Sequence, residues 1–217
     1  MRSVVILDLD GTLADTLPDI RAALNRSLSR LSLPPVTAEE CRRMVGNGAR
    51  NLTRLAVRGR EDMRDQLYDL YRADYSANLA CLTRPYPGIA DMLSSLAAAG
   101  MRLCVISNKD QEDAGRVLEH CFPGFAFAAV VGRQPGVPLK PDAAPGLKCL
   151  SLLGAGPRDA VVVGDSDVDI AFARALGCPS VGCAWGFRGG EELKRAGCSL
   201  LSSTPARALS DILSLTC

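Results

Sequence analysis

The chain is short of histidine, of aromatic residues and of long apolar runs. One residue in 217 is histidine, one is tryptophan, and Phe, Trp and Tyr together make 5%. The single histidine, His120, falls late in a helical pattern beside Cys121 and Phe122. It reads as a helix-end residue favoured by the dipole, which argues against histidine-based catalysis or a histidine-rich metal site. No stretch approaches the roughly 20 apolar residues that span a bilayer, and the N-terminal run is broken by Asp8, so no membrane partner is expected and a cytoplasmic location is the default. Excess charge of either sign is also missing: Lys plus Arg total 25 against 24 for Asp plus Glu, a formal net charge of +1. No broad field then draws the chain to nucleic acid, and any anion site must be local. Nine cysteines occur without a CxxC pair. Cys178 and Cys183 come closest to a ligand pair but have no second pair, so the set reads as small apolar residues and reduced thiols. There is no GxxxxGK[ST] phosphate loop, no GxSxG elbow, and no GxGxxG after the first apolar run, which sets aside the triphosphate cradle, the serine hydrolase elbow and the dinucleotide fold.

What is present is an alternation. Five short apolar runs, at 3–7, 101–106, 127–131, 160–164 and 179–183, have strand length and are mostly rich in Val or Ile. Four lack polar alternation, as strands covered on both faces do. Between them lie helical patterns at 89–99, 111–121 and 143–153, which end at Gly100, before Pro123 and at Gly154. Strand alternating with helix predicts an α/β fold with a doubly wound parallel sheet. Residues 15–82 depart from this rhythm. Pro18 opens one helical stretch, Thr37 and Glu40 stand at capping-box spacing before a second, and 61–80 gives a third. The expected organisation is a catalytic α/β core of residues 1–14 and 83–217, with a helical cap inserted as residues 15–82 after the first strand.

Chemistry gathers where parallel sheets bind ligands, at the carboxyl ends of strands. The first strand runs into Asp8 and Asp10, the run at 101–106 into Ser107, Asn108 and Lys109, and the run at 160–164 into Asp165, Asp167 and Asp169; Lys140 lies in PLKPD. Carboxylates crowded in a cleft repel one another, and a divalent cation relieves them. All-oxygen ligands without clustered His or Cys favour Mg²⁺ with a phosphate-bearing substrate, a small-molecule phosphate ester for which Ser107, Asn108 and Lys140 supply donors. With other nucleophiles set aside, a carboxylate remains, and two acids two residues apart can divide the work of nucleophile and proton donor.

DLDGTLADT, SNK, the lysine of LKP and GDSDVDI, in this order, resemble the four motifs of haloacid dehalogenase superfamily phosphatases, and the helical insert is similar to the cap of their phosphoglycolate phosphatase-like branch. The resemblance covers essentially the whole chain. It implies Asp8 as nucleophile and Asp10 as acid and base, with Asp10 also touching Mg²⁺ through its carbonyl. It further implies Ser107 and Asn108 on the phosphoryl oxygens, Lys140 neutralising charge, and Asp8, Asp165 and Asp169 at the metal; Asp167 falls at a variable position. Gly46, Asn47 and Gly48 lie in a GNGA stretch that resembles the cap loop of phosphoglycolate phosphatases, where backbone N–H groups can approach an anion. Arg50 or Arg54 is a candidate partner for a substrate carboxylate. The expected activity is Mg²⁺-dependent hydrolysis of 2-phosphoglycolate through an aspartyl-phosphate, by a monomer or homodimer. Pyrophosphate, a nucleoside monophosphate or a sugar phosphate is the alternative substrate, a phosphomutase a further reading, and a phospho-accepting regulatory module the reading from a different class.

Overall fold

The computed structural model describes residues 2–215. In chain order the elements are β1 (Val4–Leu7), β2 (Ala14–Asp15), α1 (Leu17–Arg30), α2 (Ala38–Met44), α3 (Gly48–Ala56), α4 (Arg64–Ala77), β3 (Arg84–Pro85), α5 (Ile89–Ala98), β4 (Arg102–Asp110) and α6 (Gln111–Cys121). There follow β5 (Ala129–Arg133), α7 (Ala144–Leu152), β6 (Ala160–Gly164), α8 (Asp167–Leu176), β7 (Ser180–Cys183), α9 (Gly190–Ala196), β8 (Leu200–Ser202) and α10 (Pro205–Ser214). Six strands form one sheet in the order β5-β4-β1-β6-β7-β8, every neighbouring pair parallel. The α/β class and the parallel sheet are those the alternation of apolar runs predicts.

β1 is central because it can be buried on both faces: all four of its residues are buried, with Val5 and Leu7 in one hydrophobic cluster and Val4 and Ile6 in the other. That placement carries residue 8 to the middle of the sheet's carboxyl edge. β4 runs four residues beyond the apolar pattern because its pairing with β5 resumes after a register shift, with Asp110 opposite Arg133. Ser107, Asn108 and Lys109 thus lie within a strand, and β5 begins two residues later than its pattern suggests. The edge strand β8 was not legible in the sequence, since three residues cannot display a period.

Helices α1 to α4 enclose a core of their own in which Leu24, Leu28 and Leu67 are fully buried, each such burial contributing about 1.5–3 kcal/mol. The capping box forms: Glu40 N–H donates to Thr37 Oγ1 at 3.2 Å and Thr37 N–H to Glu40 Oε2 at 2.7 Å. Where the chain leaves and re-enters the larger unit, β2 and β3 pair antiparallel, Ala14 with Pro85 and Asp15 with Arg84. Buried Asp19 fastens this joint by accepting from the N–H groups of Leu82 and Thr83 and from the Thr83 hydroxyl at 2.7 to 3.0 Å. Eight of the nine cysteines lie among the described residues, all as free thiols.

Candidate active site

A pocket of about 730 Å³, part of it open to solvent, lies between the carboxyl edge of the sheet and helices α3 and α4. Asp8 stands on its floor at the tip of β1, held by its N–H donating to Val163 O at 2.9 Å. The chain then turns sharply. Leu9 O accepts from the N–H groups of Thr12, Leu13 and Ala14, and Gly11 takes φ +88°. Only glycine suits this corner, because a Cβ on Gly11 would come 2.3 Å from Asp165 Oδ2.

The turn separates the two acids. The buried Lys140 ammonium donates to Asp8 Oδ1 and to Asp169 Oδ1, each at 2.7 Å. Asp10 instead accepts from Lys109 Nζ on both oxygens at 2.9 Å and from the Thr16 hydroxyl at 2.7 Å. Asp8 and Asp10 therefore line one pocket with different lysines and different surroundings.

Asp8, Asp165 and Asp169 each offer a carboxylate oxygen, and these oxygens lie within 4.8 Å of one another. Asp165 is fixed by Phe187 N–H at 2.6 Å and the Thr12 hydroxyl at 3.2 Å. Asp169, at the start of α8, accepts on its second oxygen from the N–H and hydroxyl of Ser166 at 3.1 and 2.6 Å. Three carboxylates share one ammonium, and the imbalance appears in the protonation of Asp8 and Asp165. Burial, against the pull of Lys140 and reinforced by Asp169 and Asp10, raises Asp8 to about 7. Burial, then Asp8 and Asp169, raises Asp165 well above the carboxylate range. On Lys140 burial opposes the charge, but Asp169 and Asp8 outweigh it and the pKa rises. A divalent cation suits this donor set: every donor is a hard oxygen, and two negative charges stand beyond what Lys140 balances.

Not every residue singled out in the sequence reaches this cluster. Asp167 is exposed and turns back to its neighbour's N–H. Gly46 and Gly48 line the pocket, whereas Asn47 is exposed and lies outside the lining. The Asn108 side chain is fully committed to protein: Nδ2 donates to Gly46 O at 2.9 Å and Lys140 O at 3.0 Å, while Oδ1 accepts from Lys140 N–H at 2.8 Å. In this arrangement no side-chain donor of Asn108 is left over for phosphate. The amide instead joins the Lys140 loop to the helical unit. Ser107 Oγ accepts from Lys109 N–H at 3.2 Å, which leaves its hydroxyl proton free to donate. Neither Arg50 nor Arg54 lines the pocket. Arg50 stacks over Tyr68 with its guanidinium 4.1 Å from the ring centroid and faces Asp65, and Arg54 donates to Asn51.

Tertiary structure adds Tyr71, Arg72 and Tyr75 from α4, which sequence reasoning missed, and brings Lys109 of β4, named at its strand end without a role, into the same pocket. The signal for Lys109 was present, since it directly follows the Ser-Asn pair at a strand end. Arg188, from the loop after β7, donates to Arg43 O at 3.1 Å and Val45 O at 2.8 Å, a second tie between the two units.

Comparison with known proteins agrees with this architecture. The chain is 35% identical over 205 residues to a phosphoglycolate phosphatase of Pseudomonas putida, covering 91% of this chain and 75% of that one. It is 33% identical over 184 residues to a phosphoglycolate phosphatase of Aquifex aeolicus, covering 85% of each. A crystal structure from Lactobacillus delbrueckii subsp. bulgaricus superposes with TM-score 0.91 at 26% identity, over 98% of this chain and 99% of that one. The family description "Haloacid dehalogenase-like hydrolase" matches residues 5–183. With the sheet, the helical insert and the strand-end acids in place, the chain belongs to the haloacid dehalogenase-like hydrolase family.

Proposed function

We propose that this chain is a Mg²⁺-dependent phosphomonoesterase working through an aspartyl-phosphate on Asp8, with 2-phosphoglycolate as its substrate. The observation that carries the reading is the division of the two acids: Asp8 sits among the metal-binding carboxylates with Lys140, while Asp10 stands apart on Lys109. One acid is thereby suited to attack and the other to proton transfer.

Asp8, Asp165 and Asp169, with the Asp10 carbonyl, would hold the cation. When bound it supplies positive charge to the carboxylates and to the phosphoryl oxygens. Lys140 keeps Asp8 Oδ1 oriented, and Oδ2, which accepts no hydrogen bond among the described residues, attacks phosphorus. The ester P–O bond breaks as Asp10 gives its proton to the leaving oxygen. Asp10 then takes a proton from water, the water oxygen bonds to phosphorus, and the P–O bond to Asp8 breaks, returning Asp8 as carboxylate. Ser107 donates its hydroxyl to a phosphoryl oxygen throughout. The helical unit, residues 15–82, acts as a cap that closes over the leaving group and excludes water. The named relatives support 2-phosphoglycolate as the substrate.

The test is phosphate release from a panel of esters, with MgCl₂ and after EDTA treatment. Turnover of 2-phosphoglycolate should exceed that of the other esters and stop on metal removal, and Asp8→Asn should lower it by at least about 10³-fold with the circular dichroism unchanged. Substantial activity in Asp8→Asn removes Asp8 as nucleophile, and even turnover across the panel removes the substrate assignment.

A further inference from the structure

Lys109 and Tyr75 are not used by the chemistry above, yet both are buried in the pocket wall beside the proton donor. The Lys109 side chain is 6% exposed, its Nζ lies 2.9 Å from Asp10, and its ammonium sits 4.8 Å from the centroid of the Tyr75 ring. An ammonium carries three donors, and the two contacts to Asp10 leave one. Tyr75 is 3% exposed, and its buried hydroxyl faces the Lys109 ammonium without a hydrogen bond of full geometry to any of the described residues. The Nε–H of Arg72, three residues earlier on α4 and so on the same face, is buried and equally without an acceptor. A buried donor without an acceptor carries an uncompensated desolvation cost, which a ligand removes. All three groups line the pocket that holds Asp8 and Asp10. Asp113, a further acid of this wall, is held toward its neutral form by burial.

We infer that Lys109, Tyr75 and the Arg72 Nε–H form a subsite for a carboxylate on the leaving group, which makes them the specificity-determining residues of this pocket. The inference rests on the phosphomonoesterase reading. Three convergent donors, two of them on cationic side chains, call for an anionic acceptor. Asp10 reaches the leaving oxygen, and Lys109 lies one hydrogen bond beyond Asp10. That spacing suits a carboxylate one carbon removed from the ester oxygen, so the substrate class is the phosphate monoester of a 2-hydroxy acid. Arg50 and Arg54, the cationic candidates from the sequence, are excluded by their outward contacts.

The experiment compares wild type, Lys109→Met and Tyr75→Phe, all in MgCl₂. One arm measures kcat/KM for 2-phosphoglycolate and for its neutral amide, and the other uses calorimetry to measure binding of 3-phosphonopropionate and its amide, which cannot turn over. Wild type should prefer each carboxylate over its amide. Lys109→Met should cut that preference by about 10- to 100-fold and Tyr75→Phe by roughly 3- to 10-fold, with amide binding nearly unchanged. A preference untouched in both variants, even with overall activity reduced, overturns the subsite and leaves Lys109 a positioning residue for Asp10. If wild type hydrolyses neither ester, the enzymatic reading fails, and the phosphonate arm still decides whether these residues read a carboxylate.

Discussion

Replacing Asp8 with asparagine should stabilise the metal-free protein at alkaline pH while abolishing its turnover. The carboxyl is raised from its ordinary 3.8 to about 7 because burial, with Asp169 and Asp10, outweighs Lys140. Between those two values the folded state holds a proton that the unfolded chain has released, so stability falls as pH rises, and above about 7 the whole cost is present. At about 1.4 kcal/mol per pH unit the gap between 3.8 and about 7 amounts to roughly 4 kcal/mol. Asparagine mimics the protonated form and still offers Lys140 an oxygen. In EDTA at pH 8.5 Asp8→Asn should therefore raise stability by about 2–4 kcal/mol, a Tm gain of about 5–12 °C for a chain of this size. At pH 4 the two proteins should differ by less than about 1 kcal/mol, because wild-type Asp8 is then protonated in the fold. Added MgCl₂ should close the alkaline gap, since the cation binds only the folded wild-type carboxylates with full affinity. Urea titrations at the two pH values, with and without metal, measure all of this. An Asp8→Asn protein less stable than wild type in EDTA at pH 8.5 would refute the reasoning, since Asp8 would then be a net stabilising charge.

Three further outcomes follow from the geometry. Asn108→Ala removes three hydrogen bonds that join Gly46, Lys140 and β4, and should lower kcat/KM by more than about tenfold while raising protease sensitivity in the 45–48 loop, read by limited proteolysis. Gly186→Ala would set a Cβ 2.2 Å from Asp165 Cβ and 2.3 Å from Gly11 O, so it should cost about 1–3 kcal/mol in urea and weaken Mg²⁺ binding by calorimetry. Arg50→Ala and Arg54→Ala face away from the pocket and should leave kcat/KM for 2-phosphoglycolate within about twofold, with stability changed by less than about 0.5 kcal/mol.

The sequence by itself determined the sheet, because apolar runs too short for helices and lacking polar alternation have one stable use, as strands buried on both faces. It also determined which residues stand at the carboxyl edge, since a strand's end is a local property: Asp8, Ser107 and Asp165 are there because their apolar runs stop just before them. The capping box of α2 was equally local, two side chains three residues apart. What the sequence left open depended on residues distant along the chain. β8 has no period to read, and β4 outruns its apolar pattern because β5 continues to pair with it. Only the tertiary structure decided that Asp8 meets Lys140 while Asp10 meets Lys109, 99 positions away. It alone turned Arg50 and Arg54 outward and Tyr75 inward, and committed the amide of Asn108 to backbone 62 and 32 residues distant. The physical reason is one of range: strand and cap signals lie in neighbouring side chains, whereas the partner of a buried charge is set by which elements pack together.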